Sequence, residues 1–159
     1  MSLFIEKKYN VTVVTLSNSW LLLQYKIPVT PSAPRVYIWR KLKRMGALLI
    51  LETVWVLPNT PRTLEQFQWL AAEIIELGGE ALLWKGQPAL NGPDEDLRQQ
   101  FLAQVDEAYT DLLKQLHSQD ANLELLSRQY QQVKSRDYFN SELGGQIRET
   151  LLAQRGENL

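Results

Sequence analysis

A short basic and aromatic run offers the clearest chemistry in the sequence. Residues 35–44 read Arg-Val-Tyr-Ile-Trp-Arg-Lys-Leu-Lys-Arg, with five cationic and two aromatic side chains. A helical projection at about 100° per residue sorts the run into a basic outer face with Tyr37, Arg40, Lys41 and Arg44, and an apolar inner face with Ile38, Trp39, Leu42 and Met45. Guanidinium groups match tetrahedral oxyanions, and an aromatic ring can stack on a ligand. The run predicts a site for nucleic-acid phosphates or a small oxyanion, unless it is a solvated face whose cations favour the helix C-terminus.

Two cations outside this run extend the candidate site. Lys26 ends the first predicted strand, where an ammonium could bind an anion or reach into water along its aliphatic stem. Arg62 precedes the second predicted helix, whose N-terminus favours an anion, although such a position is more often plain surface. The predicted DNA- or anion-binding residues are Lys26, Arg35, Tyr37, Arg40, Lys41, Lys43, Arg44 and Arg62.

The residue types of the sequence give little support for a catalytic site or a metal site. The chain has no cysteine, which excludes disulfides and thiolate metal sites, and its one histidine, His117, cannot build a multi-histidine site. Ser17, Ser19 and His117 lie in separate regions, and neither a G-x-S-x-G nucleophile pattern nor a G-x-x-x-x-G-K-[ST] phosphate loop occurs. We expect a protein that acts by binding, with no catalytic residue, metal site or cofactor.

The charge distribution divides the 159 residues into two regions. Residues 1–86 hold ten lysines and arginines against six acidic residues, together with all five tryptophans, whereas residues 87–159 hold seven against twelve. The two glycines and two prolines of residues 86–93 read as a linker or turn. We therefore predict an N-terminal arm over residues 1–17, a folded domain over 18–86, a linker over 87–93 and a helical extension over 94–159.

The order of elements in the predicted domain is strand, helix, strand, strand, helix, strand. Apolar runs punctuated by proline, glycine and helix-starting residues predict strands at 20–27, 47–51, 54–57 and 81–84, and helices from about Ser32 to Met45 and from Thr63 to Leu77. Thr63 and Gln66 have the spacing of a capping box, and Glu52-Thr53 is the predicted hairpin turn. This order is the ferredoxin-like βαββαβ pattern, an α+β fold with two helices on one face of a four-stranded antiparallel sheet. Most of the tryptophans are expected to pack in its core.

The second region predicts helices only. Apolar residues recur at three- and four-residue spacing over 97–116, over about 121–136 and over 141–153, although Gly144-Gly145 weakens the start of the last one. A β-prone piece at Val11–Thr15 reads as an extra strand or a loose arm.

The cellular compartment and the oligomeric state can also be predicted from the sequence. No run of about 18 apolar residues and no signal peptide is present, and cysteine is absent, so we expect a cytoplasmic protein without membrane contact. Two sheet edges and an amphipathic tail need cover, which is consistent with a homodimer.

Two segments of the first region resemble the N-terminal domain of the chromate resistance family ChrB. They are Trp20-Leu21-Leu22-Leu23-Gln24-Tyr25-Lys26-Ile27-Pro28 with the basic run from Ala33 to Ala47, and Val54-Trp55-Val56-Leu57-Pro58 with Pro61-Arg62-Thr63-Leu64-Glu65-Gln66-Phe67-Gln68-Trp69-Leu70-Ala71. The helical part, with Tyr109 and Arg136-Asp137-Tyr138-Phe139, is similar to the tail that follows in that family. The likeness covers about residues 18–155. More distantly, the domain resembles that of PaaX-type repressors, which is like the CRISPR-associated adaptation nuclease.

The resemblance implies a regulatory or accessory role in a chromate efflux operon, with DNA and chromate or another oxyanion as ligands. It places Arg35, Arg40, Lys41, Lys43 and Arg44 in the family's basic helix, and Lys26 and Arg62 also match. Family members usually carry a further C-terminal domain, for which there is no room before Leu159. If chromate sensing resides in that domain, we expect this chain not to sense chromate. The nucleases use an aspartate near the end of the first strand, where this sequence reads Tyr25-Lys26-Ile27, which argues against a nuclease. An oxyanion-binding or protein-interaction module that never touches DNA stays as the alternative.

Overall fold

The computed structural model describes residues 19–157, so the predicted arm and its Val11–Thr15 piece lie outside the described residues. The chain forms two compact units, which divide between Ala89 and Leu90. This division falls inside the stretch that the sequence predicts as a linker.

Four strands of the first unit form one antiparallel sheet. They are β1 (Trp20–Lys26), β2 (Leu48–Ile50), β3 (Val54–Pro58) and β4 (Glu80–Gly86), in the spatial order β2-β3-β1-β4. With one helix after β1 and another after β3, this is the ferredoxin-like arrangement. The predicted α+β fold with a helical C-terminal part is confirmed.

The first helix, α1 (Ala33–Met45), runs between strong local signals. Pro34 sits in its first turn, where a missing N–H costs nothing, and Gly46 ends it in the left-handed conformation with φ 76°. Ser32 occupies the N-cap position, but its side chain makes no capping hydrogen bond. Ile38 and Leu42 are buried, so the helix docks through the apolar stripe that the periodicity predicts.

The second helix, α2 (Pro61–Glu76), starts about one turn earlier than the sequence predicts. Its capping box joins Thr60 and Thr63: the Thr63 N–H donates to the Thr60 hydroxyl at 3.1 Å, and the Thr60 N–H donates to the Thr63 hydroxyl at 2.9 Å. The predicted box of Thr63 and Gln66 is therefore wrong, because Pro61 fits the first turn and Thr63 is buried inside the helix.

The hairpin between β2 and β3 turns on Leu51 and Glu52, not on the predicted Glu52-Thr53. The Thr53 N–H donates to the Ile50 carbonyl at 3.1 Å, which closes a β-turn centred on Leu51 and Glu52. Ile50 pairs with Val54, so residues 51–53 connect the two strands. Leu51 and Glu52 have φ values of 48° and 57°, the signs that a type I′ turn requires. Neither residue is glycine or asparagine, so both hold a conformation that costs free energy.

Both helices of the first unit lie side by side on one face of the sheet. Antiparallel partners share a face, so Leu23 and Trp55 point to the same side, and both are buried. α2 packs on β1 and β4 through Phe67, Leu70 and Ile74, which are fully buried.

The tryptophans divide between core and surface, which corrects the prediction that most are core residues. Trp20 and Trp55 are buried. Trp39, Trp69 and Trp84 expose 49%, 67% and 53% of their surface. Trp39 departs from its predicted inner position because it lies at the flank of the docked stripe of α1, one residue beyond buried Ile38.

The second unit consists of α3 (Pro93–Leu116), α4 (Leu123–Lys134) and α5 (Glu142–Glu157) in the described range. One core holds them together, with the buried side chains of Val105, Tyr109, Leu112, Leu116, Leu126, Tyr130, Val133, Ile147 and Leu151. Within residues 19–157 no helix combines the length and the apolar character needed to cross a membrane.

Candidate functional site

Two arginines of α1 point away from the sheet and stay exposed. Arg40 and Arg44 are four residues apart, so their side chains lie one above the other on the same side of the helix. Both are roughly opposite the docked residues Ile38 and Leu42 on the helical projection. Among residues 19–157 neither arginine forms an ion pair or a hydrogen bond, so both guanidinium groups are free to meet an anion.

Lys43 lies beside these arginines and contacts two indole rings. Its ammonium is 5.6 Å from the ring centroid of Trp39 and 5.9 Å from that of Trp55, distances at which a cation is attracted to an aromatic face. The rings hold the lysine in place while its charge stays exposed. We call Arg40, Lys43 and Arg44 the α1 strip.

Lys41 and Tyr37 lie on the other flank of α1, towards α2. The Lys41 ammonium donates to both carboxylate oxygens of Glu73, at 2.6 and 2.8 Å, and lies 4.9 Å from the Tyr37 ring centroid. The hydrogen bond that Lys41 donates to Glu73 raises the pKa of Lys41 and lowers the pKa of Glu73. Lys41 is therefore occupied inside the fold, and it does not belong to the α1 strip.

A groove of about 670 Å³ opens between α1, the end of β1 and the β2–β3 hairpin. The lining side chains are Tyr25, Lys26, Ile27, Val29, Ser32, Arg35, Val36, Trp39, Leu49, Glu52, Thr53 and Trp55. The groove thus combines two cations and one carboxylate with three aromatic rings. Within the described part of the chain, Lys26, Arg35 and Glu52 have no ion-pair partner.

Tyr25 connects the aromatic and the cationic sides of this groove. Burial raises the pKa of the Tyr25 phenol, against smaller lowering effects of the hydrogen bond with Trp55 and of the positive charge of Arg35. An indole N–H can only donate, so the Tyr25 oxygen accepts this bond. The Arg35 charge therefore acts directly on the groove wall.

The eight predicted site residues fall into four places. Lys26 and Arg35 meet in the groove, and the α1 strip holds three more. Tyr37 and Lys41 face α2. Arg62 lies in the first turn of α2, not before the helix as the sequence suggests, and it has an interaction partner there.

The aromatic and acidic residues that line the groove are not among the site residues predicted from the sequence. Trp39 stands four residues after Arg35, so the two side chains lie on the same side of the helix. This spacing is the local signal that could have placed Trp39 in the groove. Tyr25, Glu52 and Trp55 reach the groove through strand pairing, which residue spacing does not reveal. In residues 19–157 no group of three or more histidine, cysteine, aspartate or glutamate side chains is arranged to hold a metal ion.

The fold and the site together define a ferredoxin-like domain that presents a basic helix, followed by a helical unit. A family model described as "Protein ChrB, N-terminal" matches residues 35–124, more than half of the chain. The chain therefore belongs to the ChrB N-terminal family. The match includes α1 from Arg35 onwards, with the α1 strip, and it extends from the first unit into the second.

One relative supports this assignment. The chain is 29% identical to Protein ChrB of Cupriavidus metallidurans over 83 residues, which are 52% of this chain and 26% of that protein. The matched part thus spans about a quarter of the length of this relative. No solved structure matches the chain.

Proposed function

We propose that this chain is a regulatory or accessory protein of chromate resistance that binds DNA through the α1 strip. Membership in the ChrB family supports the link to chromate resistance. The observation that carries DNA binding is the outward exposure of Arg40 and Arg44, without an internal ion-pair partner among the described residues, next to Lys43.

The release of counterions is the physical driving force for this binding. Each cation that contacts a DNA phosphate releases a condensed counterion, which supplies most of the affinity at low salt. An arginine that already has a carboxylate partner would lose that partner on binding, whereas Arg40 and Arg44 have no such partner in the described part of the chain. The surplus of basic residues in the first 86 positions favours the approach of a polyanion to this unit rather than to the acidic second region.

A second candidate function is oxyanion binding without DNA. The observation in its favour is that Lys26 and Arg35 line one groove and have no carboxylate partner within the described residues. A guanidinium and an ammonium in one concave site form charge-assisted hydrogen bonds with a tetrahedral anion. Chromate, sulfate and phosphate share that shape and differ in redox chemistry.

Both candidates are binding functions, and we propose no catalytic step. The end of β1 supports this choice, since Lys26 stands near the place where the CRISPR-associated adaptation nucleases carry an aspartate. We further propose a cytoplasmic protein that assembles as a homodimer, as the unpaired outer edges of β2 and β4 within the described sheet would allow.

The test measures fluorescence anisotropy of a labelled duplex from the promoter of the chain's own operon, at about 50 mM salt. Wild-type protein should bind, and Arg40→Gln/Arg44→Gln should weaken binding at least tenfold. Lys85→Gln/Lys114→Gln removes the same charge from exposed positions outside α1 and is the matched control. Equal loss in both double variants, or no binding by wild type, would refute the proposal.

A further inference from the structure

The groove beside α1 contains features besides Lys26 and Arg35, the two cations that would be enough to bind a bare oxyanion. Its wall includes the half-exposed indole of Trp39, with Tyr25 and Trp55 further inside. Its volume of about 670 Å³ lies within the range of sites for ligands larger than a four-oxygen ion. A site for sulfate or chromate alone would leave the exposed part of this lining, the Trp39 indole, without a ligand contact.

The positive and negative side chains of the groove come from different secondary-structure elements. Lys26 at the end of β1 and Arg35 in the first turn of α1 bring two positive charges, whereas Glu52 and Thr53 come from the hairpin. A ligand that fits this division carries a negative group at one end and hydrogen-bond donors at the other. Two cations against one carboxylate also match a ligand with a small net negative charge.

The strained backbone of the β2–β3 hairpin supports a functional role for the hairpin side of the groove. Leu51 and Glu52 both have positive φ without being glycine, and Leu51 is 90% exposed, so its side chain gains no packing from the turn. Strained residues concentrate at functional sites, where the surrounding structure holds them. Here the strained turn brings Glu52 and Thr53 to the groove.

We infer that the groove binds a nucleotide, with the base on the Trp39 indole, the phosphate at Lys26 and Arg35, and the donors of the sugar or base at Glu52. Aromatic stacking suits any base, because every base has a π-face. The ligand is either a free mononucleotide or one nucleotide of a single strand, which share this chemistry. This inference deepens the second candidate function, since the phosphate is the oxyanion, and it does not depend on duplex binding by the α1 strip.

The experiment compares four probes by isothermal titration of the full chain: inorganic phosphate, ribose 5-phosphate, adenosine 5′-monophosphate and 5′-phosphorylated trithymidylate. The two probes with bases should bind at least roughly tenfold more tightly than the two without, the size expected for stacking of one base. Tighter binding of adenosine monophosphate points to a free nucleotide, and tighter binding of the trinucleotide points to a single strand; either result supports the inference.

Variants locate the site. Trp39→Ala should abolish the preference for a base and leave weak phosphate binding, and Lys26→Gln/Arg35→Gln should weaken all four probes. Trp69→Ala removes another exposed indole of the same unit and should change nothing. Thermal unfolding of each variant checks the fold, and quenching of tryptophan fluorescence by the nucleotide should survive in Trp69→Ala but not in Trp39→Ala.

Three outcomes would overturn the inference. Equal affinity for ribose 5-phosphate and adenosine monophosphate would leave an oxyanion site and remove the base. If none of the four probes binds, the proposed oxyanion-binding function is refuted as well. A base preference that persists in a folded Trp39→Ala variant would place the nucleotide elsewhere.

Discussion

The ammonium of Lys41 on α1 lies 2.6 Å from a carboxylate oxygen of Glu73 on α2, across 32 positions of sequence. This contact joins the two helices on one face of the sheet. It also distinguishes Lys41 from Arg40 and Arg44, which have no ion-pair partner among residues 19–157.

Glu73→Gln should destabilise the protein by about 1 kcal/mol or less, because partly exposed ion pairs are screened by water. The hydrogen bond from Lys41 lowers the pKa of Glu73 below its usual 4.5. A carboxyl group with a lowered folded-state pKa stabilises the fold above its unfolded value, and this contribution is lost as the pH falls through the folded value. The difference between wild type and variant should thus shrink below pH 4.5.

Urea unfolding at pH 7 and pH 3 measures this difference. Glu76→Gln, on the exposed side of the same helix, is the control and should have little effect at either pH. A difference that grows on acidification would mean that the Lys41–Glu73 pair does not stabilise the fold.

Gly144→Ala should destabilise the second unit by about 1–3 kcal/mol. A Cβ at this position would lie 2.7 Å from the Cε2 and Cζ atoms of Tyr109, whose ring is fully buried and has no room to shift. Gly145→Ala is the adjacent control, since a Cβ there meets nothing within 4 Å. It should stabilise the helix by about 0.5–1 kcal/mol, because alanine loses less backbone entropy than glycine.

Chemical denaturation followed by far-UV circular dichroism compares the two glycine variants. A similar effect of both would show that the Tyr109 ring does not press on Gly144.

Replacing Leu51-Glu52 with Asn-Gly should raise the free energy of unfolding by about 1 kcal/mol or more, since Asn-Gly is the preferred pair for two positive φ values. The observed φ angles of 48° and 57° already fit this turn, so no rearrangement is needed. Leu90→Asn, which replaces another exposed leucine, controls for the loss of exposed apolar surface. Equal stabilisation by both would attribute the gain to solubility rather than to the backbone.

Tyr109 should make the protein sensitive to strong base. Burial, followed by the nearby Asp137 carboxylate, raises the pKa of the Tyr109 phenol well above 10, and its hydroxyl donates to Asp137 at 3.1 Å. A group with a raised folded-state pKa stabilises the fold below its unfolded value and loses this contribution as the pH rises further. Stability should therefore fall above pH 10 in wild type.

Tyr109→Phe should remove that part of the alkaline loss and cost about 1–2 kcal/mol at neutral pH, where Asp137 keeps the Ser141 N–H as a donor. Unfolding free energies from pH 8 to pH 11 test both statements. An alkaline loss of equal size in the variant would mean that other groups cause it.

The fold was predictable because its signals are local. Apolar runs ended by Pro28, Gly46 and Pro58 mark the elements, and their order defines the sheet. The sequence predicts the hairpin turn one residue too late, because Leu51 does not resemble a turn residue. Its strain is visible only in the backbone angles.

The site was predictable only in part, because its parts depend on pairing between distant segments. The outward direction of Arg40 and Arg44 follows from helical periodicity. The pairing of Lys41 with Glu73 does not, since the periodicity of α1 cannot show what α2 presents to it. For the same reason, residue spacing does not predict the groove, which forms only when β1, β3 and α1 come together.

The salt dependence of duplex binding tests the role of the α1 strip most directly. The logarithm of the binding constant falls linearly with the logarithm of the salt concentration, with a slope of about −0.9 per phosphate contact. Arg40→Gln/Arg44→Gln should make the slope shallower by about 1.8, the value for two lost contacts, whereas Lys85→Gln/Lys114→Gln should leave it unchanged. A double arginine variant that binds DNA with the wild-type slope would contradict the account.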